Sequence, residues 1–192
     1  MITLNSNALC TRNEVKDFLG LQAAGNDIDD FVNQTINRIS TLFESYCHRK
    51  FMSASYTEYH DSDGDSWIFP KNTPVTVITA IYEDEDWDFG ADTEIDSTEY
   101  KLADENSIFY DGVFTKGPQS LKIEYTGGYT SSTLPEDLKQ AAIVEVARII
   151  KHRTDFDILS VNRDDGTVTF TQFDFLPLTL KTLQNYKLIY AL

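Results

Sequence analysis

The sequence predicts an α+β fold: a small helical core of about four helices, with an antiparallel β-rich insert between the second and third. Three observations predict it. Residues 11–20 and 27–50 carry apolar side chains at helical spacing. Residues 51–125 change to short β-branched and aromatic runs broken by Gly, Asp and Pro. Residues 133–152 then return to a helix with almost no polar face. The expected parts are 1–50, the helical N-terminal part of the core; 51–128, the β-rich lobe; 129–155, the central helix; and 156–192, a hairpin and docking segment. Together they form one domain with an elaborated lobe.

The first helix starts at "CTRNEVKDFLG". Thr11 is a good N-cap and Glu14 stands three residues on, the spacing of a capping box. Cys10 and Val15 take the staple positions, Val15, Phe18 and Leu19 form the buried side, and Gly20 stops the helix. In the second helix Asp27 is the expected cap, with Asp29 and Asp30 in the first turn. Its stripe is Ile28, Val32, Thr35, Ile39, Leu42 and Tyr46, widened by Phe31, Ile36 and Phe43. So wide a stripe predicts burial on two sides, by the core and by a neighbouring subunit. His48, Arg49 and Lys50 are expected to complement the negative helix end.

In the insert, "SASYTEYHD" and "SWIFP" flank "SDGD", which predicts a hairpin. Pro74 opens "VTVITAIYE", with Val75, Val77, Thr79 and Ile81 on one face. An acidic loop from Glu83 to Glu99 follows, without one basic residue. "EYKLA", "SIFYDG" and "SLKIEYTGG" supply three further strands, the last alternating Leu121, Ile123 and Tyr125 with Lys122 and Glu124. Gly127 and Gly128 let the chain leave the sheet sharply.

Thr133 and Glu136 again fit a capping box, with Pro135 in the first turn. Glu145 and Arg148 interrupt an otherwise apolar helix and are spaced to pair. "SVNRDDGTVTF" predicts a hairpin and the segment after Pro177 a final helix. On it Leu180, Leu183 and Lys187 share a face, as do Leu183, Tyr186 and Tyr190. A terminal segment this apolar must dock on its own core or on another chain.

The formal net charge is −15, which opposes free binding to nucleic acid or to an anionic membrane. Cys10 and Cys47 form no CxxC pair and are expected as free thiols. The expected setting is cytoplasmic synthesis: "MITLNSNALC" has no signal-peptide pattern, and no apolar run approaches the ~18 residues of a membrane span. His48, His60 and His152 lack companions at ligand spacing, and no GxSxG, P-loop or GxGxxG is present, so neither enzyme nor cofactor is expected. Asp61, Asp63 and Asp65 are the candidate calcium ligands. Their glycine and twelfth residue do not fit an EF-hand, and the turn reading is preferred. Trp87 and Phe89, aromatic within the acidic loop, are candidate partner anchors.

In order, the motifs "TRNEVKDFLGL", "SYCHRKF", "WIFPKNTPVTVITAIYED", "LKIEYTGGY", "LPEDLKQAAIVEVARIIKHR" and "LPLTLKTLQNYKLIY" resemble the head-to-tail connector (adaptor, or head-completion) proteins of tailed bacteriophages. The resemblance implies a structural virion protein at the head–tail interface, made in a host bacterial cytoplasm, without catalytic residues. It implies a homo-oligomeric ring, commonly of about twelve copies, beneath the portal protein. Such a ring extends the channel through which DNA passes without specific binding, and carries a tail or further neck protein. It also implies portal docking by the last segment, here Leu183, Tyr186, Leu188, Ile189, Tyr190 and Leu192. The alternative reading is a calcium-dependent binding module on Asp61 to Asp65.

Overall fold

The structure, a computed structural model, describes residues 1–21, 28–152, 160–163, 166–169 and 174–188. It is α+β: among the described residues there are four helices, two antiparallel three-stranded sheets and a two-stranded one. The chain divides into two compact units, Met1–His48 with Leu134–Leu192, and Arg49–Thr133.

The first unit contains α1 (Arg12–Leu19), α2 (Asp29–Cys47), α3 (Glu136–Lys151) and α4 (Pro177–Tyr186). α3 is central and packs against the other three. It buries Leu138, Ala141, Ala142, Ile143, Val146 and Ala147. Small alanines let neighbouring helices approach closely, and the branched residues fill the space between. α1 has the expected capping box between Thr11 and Glu14, and Gly20 ends it with φ of 68°. Cys10 and Val15 are buried, but Phe18 is half exposed, so two turns bury less than their pattern suggests. The expected cap Asp27 lies outside the described residues. Asp29 is buried, and its carboxylate meets Arg12 at 3.0 Å and Lys16 at 2.8 Å, clasping α1 to α2. The Lys16 hydrogen bond holds that carboxyl below the usual range.

On α2 the buried line is Val32, Ile36, Ile39, Phe43 and Cys47, whereas Leu42 is exposed. The expected stripe was therefore displaced by about one residue in its second half. The Arg49 guanidinium donates to the Thr73 carbonyl. α3 also differs from expectation. Pro135 occupies the N-cap position and no side chain caps the helix. β7 (Ser160–Arg163) and β8 (Gly166–Thr169) pair antiparallel as the expected hairpin.

The second unit holds two sheets, ordered β1-β6-β3 and β2-β5-β4. The strands are β1 (Ala54–Ser62), β2 (Trp67–Ile68), β3 (Val75–Glu83), β4 (Tyr100–Asp104), β5 (Ser107–Tyr110) and β6 (Gly117–Gly127). The expected hairpin between "SASYTEYHD" and "SWIFP" does not form. β1 pairs with β6 and β2 with β5, so the "SDGD" segment carries the chain from one sheet to the other. β3 fails to alternate because its register shifts twice against β6, between Val75 and Val77 and between Ile78 and Ala80. Each bulge inserts one residue and changes which face follows. Val77 is thus 57% exposed while Ala80 and Ile81 are both buried.

Both sheets share one core of Ile68, Val75, Ile81, Ile95, Ile108, Phe114, Leu121, Ile123 and Tyr125. Ile95 comes from the acidic loop, which is stitched to the end of β3 by Glu83 N–H to Thr93 O (3.0 Å) and Ile95 N–H to Ile81 O (2.8 Å). At the end of β6, Gly128 has φ of 97°, and a Cβ there would lie 2.7 Å from the carbonyl oxygens of Phe51 and Met52. That close approach holds the entering and leaving segments of the unit side by side, with Tyr129 N–H donating to Phe51 O at 2.7 Å.

Candidate functional site

The candidate surfaces are the last helix, the N-terminal segment on α2 and two loops of the sheet unit. α4 starts with Pro177 at its first position, where a missing N–H costs little. It is anchored by a buried carboxylate. Glu145 of α3 is fully buried; its Oε1 accepts the Leu176 N–H at 2.6 Å and its Oε2 meets Arg148 at 2.8 Å. Arg148 in turn donates to the Asp174 carbonyl at 3.0 Å. The residue pair read as a simple helix interruption thus fixes where α4 begins.

Leu183 is fully buried within the helical unit, and its carbonyl lies 3.4 Å from Cys47 Sγ. Tyr186 donates its hydroxyl to Asp137 at 2.7 Å. Leu188 donates its backbone N–H to the Cys47 carbonyl at 3.0 Å. Ile189, Tyr190 and Leu192 lie outside the described residues. The first half of the expected docking set therefore holds α4 in place, and its exposed apolar residue is Leu178.

The N-terminal segment lies along α2 and is held by a line of polar side chains. Asp30 accepts the Ile2 N–H at 2.6 Å, and Asn33 donates to the Ile2 carbonyl at 2.6 Å. Asn37 donates to the Thr3 carbonyl at 2.9 Å and accepts the Asn5 N–H at 2.8 Å. Ser40 accepts the Leu9 N–H at 3.1 Å, and Glu44 accepts from Asn7 Nδ2 at 2.9 Å. Positions 30, 33, 37, 40 and 44 step by three and four, one stripe of the helix. The chain's own N-terminal segment thus covers a polar side of α2, beside the apolar stripe, while Leu42 of that stripe stays exposed. The signal was present in the sequence as amides and hydroxyls at helical spacing beside the apolar stripe.

In the acidic loop, Asp84 accepts the backbone N–H groups of Asp86, Asp88 and Phe89 at 2.8, 3.0 and 2.9 Å. These bonds hold its carboxyl below the usual range. They also brace Trp87 and Phe89, whose φ values of 63° and 45° are left-handed and strained for such residues. Phe89 packs on Tyr59, with ring centroids 5.5 Å apart. Trp87 donates Nε1–H to the Pro118 carbonyl at 3.0 Å yet is 59% exposed.

Asp61, Asp63 and Asp65 do not converge on a cation site; Asp61 instead accepts the Gln119 N–H at 2.7 Å. Among the described residues, no group of three or more His, Cys, Asp or Glu side chains could hold a metal ion. The calcium alternative thus loses its geometry. His60 contacts Glu58, which is buried and takes four partners: His60 Nε2 (3.0 Å), the Lys71 N–H (3.1 Å), Asn72 Nδ2 (3.0 Å) and the Tyr125 hydroxyl (2.6 Å). Burial opposes the charge, but the His60, Tyr125 and Lys71 hydrogen bonds outweigh it and lower the Glu58 pKa. Burial and Glu58 together push the Tyr125 phenol well above its ordinary value. A carboxylate so saturated is a brace for β1, β6 and the turn before β3.

A family model described as "Head completion protein" matches residues 8–188. The chain belongs to the head completion protein family. The fold is shared with solved structures of gene transfer agent (GTA) particles. A chain from the virion of the native GTA particle is 16% identical with a TM-score of 0.64, covering 100% of this chain and 95% of that one. A chain from the neck of the empty GTA particle, computed with C6 symmetry, is 18% identical with a TM-score of 0.62 and the same coverage. A third, from the neck of the native GTA particle computed with C12 symmetry, is 18% identical with a TM-score of 0.60. At these identities the likeness is one of fold. No curated protein sequence matches the chain.

Within the family assignment, the matched span runs from the N-terminal segment on α2 to Leu188, the residue tied to Cys47. Both buried braces and both exposed loops fall inside it. No helix among the described residues is long and apolar enough to cross a membrane.

Proposed function

We propose that this head completion protein is a structural part of the neck of a phage-like particle, where copies form a ring between head and tail. The observation that carries the reading is the family match across nearly the whole chain. The GTA neck structures of similar fold, computed with C12 and C6 symmetry, support the ring. The ring docks beneath the portal, lengthens the DNA channel and offers a platform for the tail. It works without catalysis, its carboxylates repelling phosphate so that the genome slides.

Docking on the portal belongs to the end of the chain. Leu183, Tyr186 and Leu188 position α4, and Ile189, Tyr190 and Leu192 supply the contact. Trp87 is a second anchor, for the next neck or tail protein. Deleting residues 189–192 should leave helix content and unfolding midpoint unchanged and abolish binding to purified portal. Undiminished binding would remove the site. Electron microscopy of particles carrying a tagged copy should place label at the head–tail vertex. Label elsewhere on the particle ends the neck assignment.

A further inference from the structure

The segment from Asp61 to Pro70, left over once the hairpin and calcium readings fail, alternates with the period of an extended chain. Asp61, Asp63, Asp65, Trp67 and Phe69 are all exposed, while Ser62, Ile68 and Pro70 are buried. Trp67 is 45% and Phe69 65% exposed, large values for aromatic side chains. With His60, Ile68 and Leu121 they line an open cleft of about 270 Å³. The cleft lining therefore combines carboxylates with aromatic rings.

We propose that this cleft receives an extended, arginine-bearing segment of another protein, its guanidinium over Trp67 and against Asp63 and Asp65. Three observations favour that occupant. First, the charge is complementary: residues 49–133 hold 17 Asp and Glu against 6 Lys and Arg, a net −11. A second copy of this unit, or a nucleic acid, would be repelled. Second, the same row of the sheet already seats a cation. Trp67 pairs in register with Phe109, which pairs with Lys101, and Lys101 Nζ lies 5.3 Å from the Phe109 ring centre. Third, β2 is an edge strand, and the period-two exposure beside it matches the side-chain period of an extended partner. Arginine suits the site better than lysine, because a planar guanidinium stacks on indole while its fork meets carboxylates.

The full chain carrying Trp87→Phe keeps Trp67 as its sole indole, so emission reports on the cleft. The probes are an octapeptide alternating Arg and Thr, its Lys–Thr and Glu–Thr counterparts, and calcium alone; calorimetry on the unaltered chain repeats each titration. The Arg peptide should give a saturable change that weakens about tenfold in Asp63→Asn/Asp65→Asn and on raising salt to 0.5 M. The Lys peptide should bind about threefold more weakly, and the Glu peptide not at all. Circular dichroism checks that the double variant folds. The proposal is overturned by no saturation at millimolar Arg peptide, by equal binding to the double variant, or by an equal response to calcium or the Glu peptide.

Discussion

The two units solve one problem, a buried carboxylate, in different ways. In the helical unit Glu145 meets a partner three residues away, Arg148, and one distant backbone N–H, that of Leu176. In the sheet unit Glu58 gathers partners from His60 on its own strand, Lys71 and Asn72 of the following turn, and Tyr125 of β6. The helix supplies a neighbour by its own geometry, whereas the sheet must recruit neighbours through tertiary pairing. The units differ in charge as well, net −4 for the helical unit against −11 for the sheet unit, of a total of −15. A cationic side chain is correspondingly scarcer where Glu58 sits, so neutral donors do most of the holding.

The sharpest break of that contrast is Glu58→Ala. It strands the Tyr125 hydroxyl, Asn72 and the Lys71 N–H in a buried site, and should cost about 4 kcal/mol in denaturant unfolding. Its pH signature follows from the lowered pKa. The native state holds the ionised form more strongly than the unfolded chain does, so this contribution is complete above the unfolded value near 4.5. It is lost as pH falls below that value toward the folded one. Glu58→Gln should therefore flatten the stability–pH curve below pH 4.5 and leave its shape above that unchanged. An equal slope there in wild type and variant would mean that Glu58 is not held as charged, since Asp29 and Asp84 give both a slope of their own. Glu145→Ala comes next, at about 3 kcal/mol, because Arg148 keeps the Asp174 carbonyl and its side chain is 23% exposed. Hydrogen exchange should show the Leu176 amide and the first turn of α4 opening first. An effect equal to that of Glu58→Ala would erase the distinction between the two braces.

The same contrast explains what the sequence disclosed. Helical elements were legible wherever one stripe met one core, as in α3, whose pairing of Glu145 with Arg148 was read from spacing alone. On α2 the reading slipped, because Leu42 and Ile36 look alike to hydropathy while only Ile36 meets the core. The sheet strands were found, but not their partners. Pairing of β1 with β6 joins residues far apart in sequence, and the two bulges of β3 defeat any alternation count. Of the candidate site, the last helix was visible as an apolar segment. That Leu183 faces inward depends on where α2 and α3 lie. The Asp61–Asp65 composition suited a turn and oxygen ligands alike, and sequence could not show that the segment would pass between two sheets instead of closing a hairpin.

A smaller effect should come from the line of polar residues on α2. Asn37→Ala removes one donor and one acceptor from the N-terminal segment, both exposed, and should cost about 1 kcal/mol. Amide exchange of Thr3 to Leu9 should accelerate while that of α3 stays slow. If the segment is held by burial of Leu9 alone, its exchange will not change. This separates polar anchoring, which sequence can display, from packing, which it cannot.

The smallest effect is the most direct test of reading by pattern. "TRNE" and "TLPE" both place Thr three residues before Glu, and both predict a capping box. Only the first forms one: Thr11 Oγ1 accepts the Glu14 N–H at 3.3 Å, and Glu14 returns to the Thr11 N–H at 2.7 Å. In the second, Pro135 has φ of −55° and ψ of 132° and becomes the residue from which the helix springs. Proline biases the preceding Leu134 away from helical backbone, so the helix cannot begin earlier. Thr133 is left two positions short of the cap and bonds Thr130 instead, its Oγ1 accepting the Thr130 N–H at 2.9 Å. Thr11→Ala should therefore cost about 1 kcal/mol, a lost cap, and Thr133→Ala only about 0.3 kcal/mol, a lost exposed turn bond. Equal losses in parallel thermal melts would mean that the Thr-x-x-Glu spacing sets the cap by itself and the intervening proline does not matter.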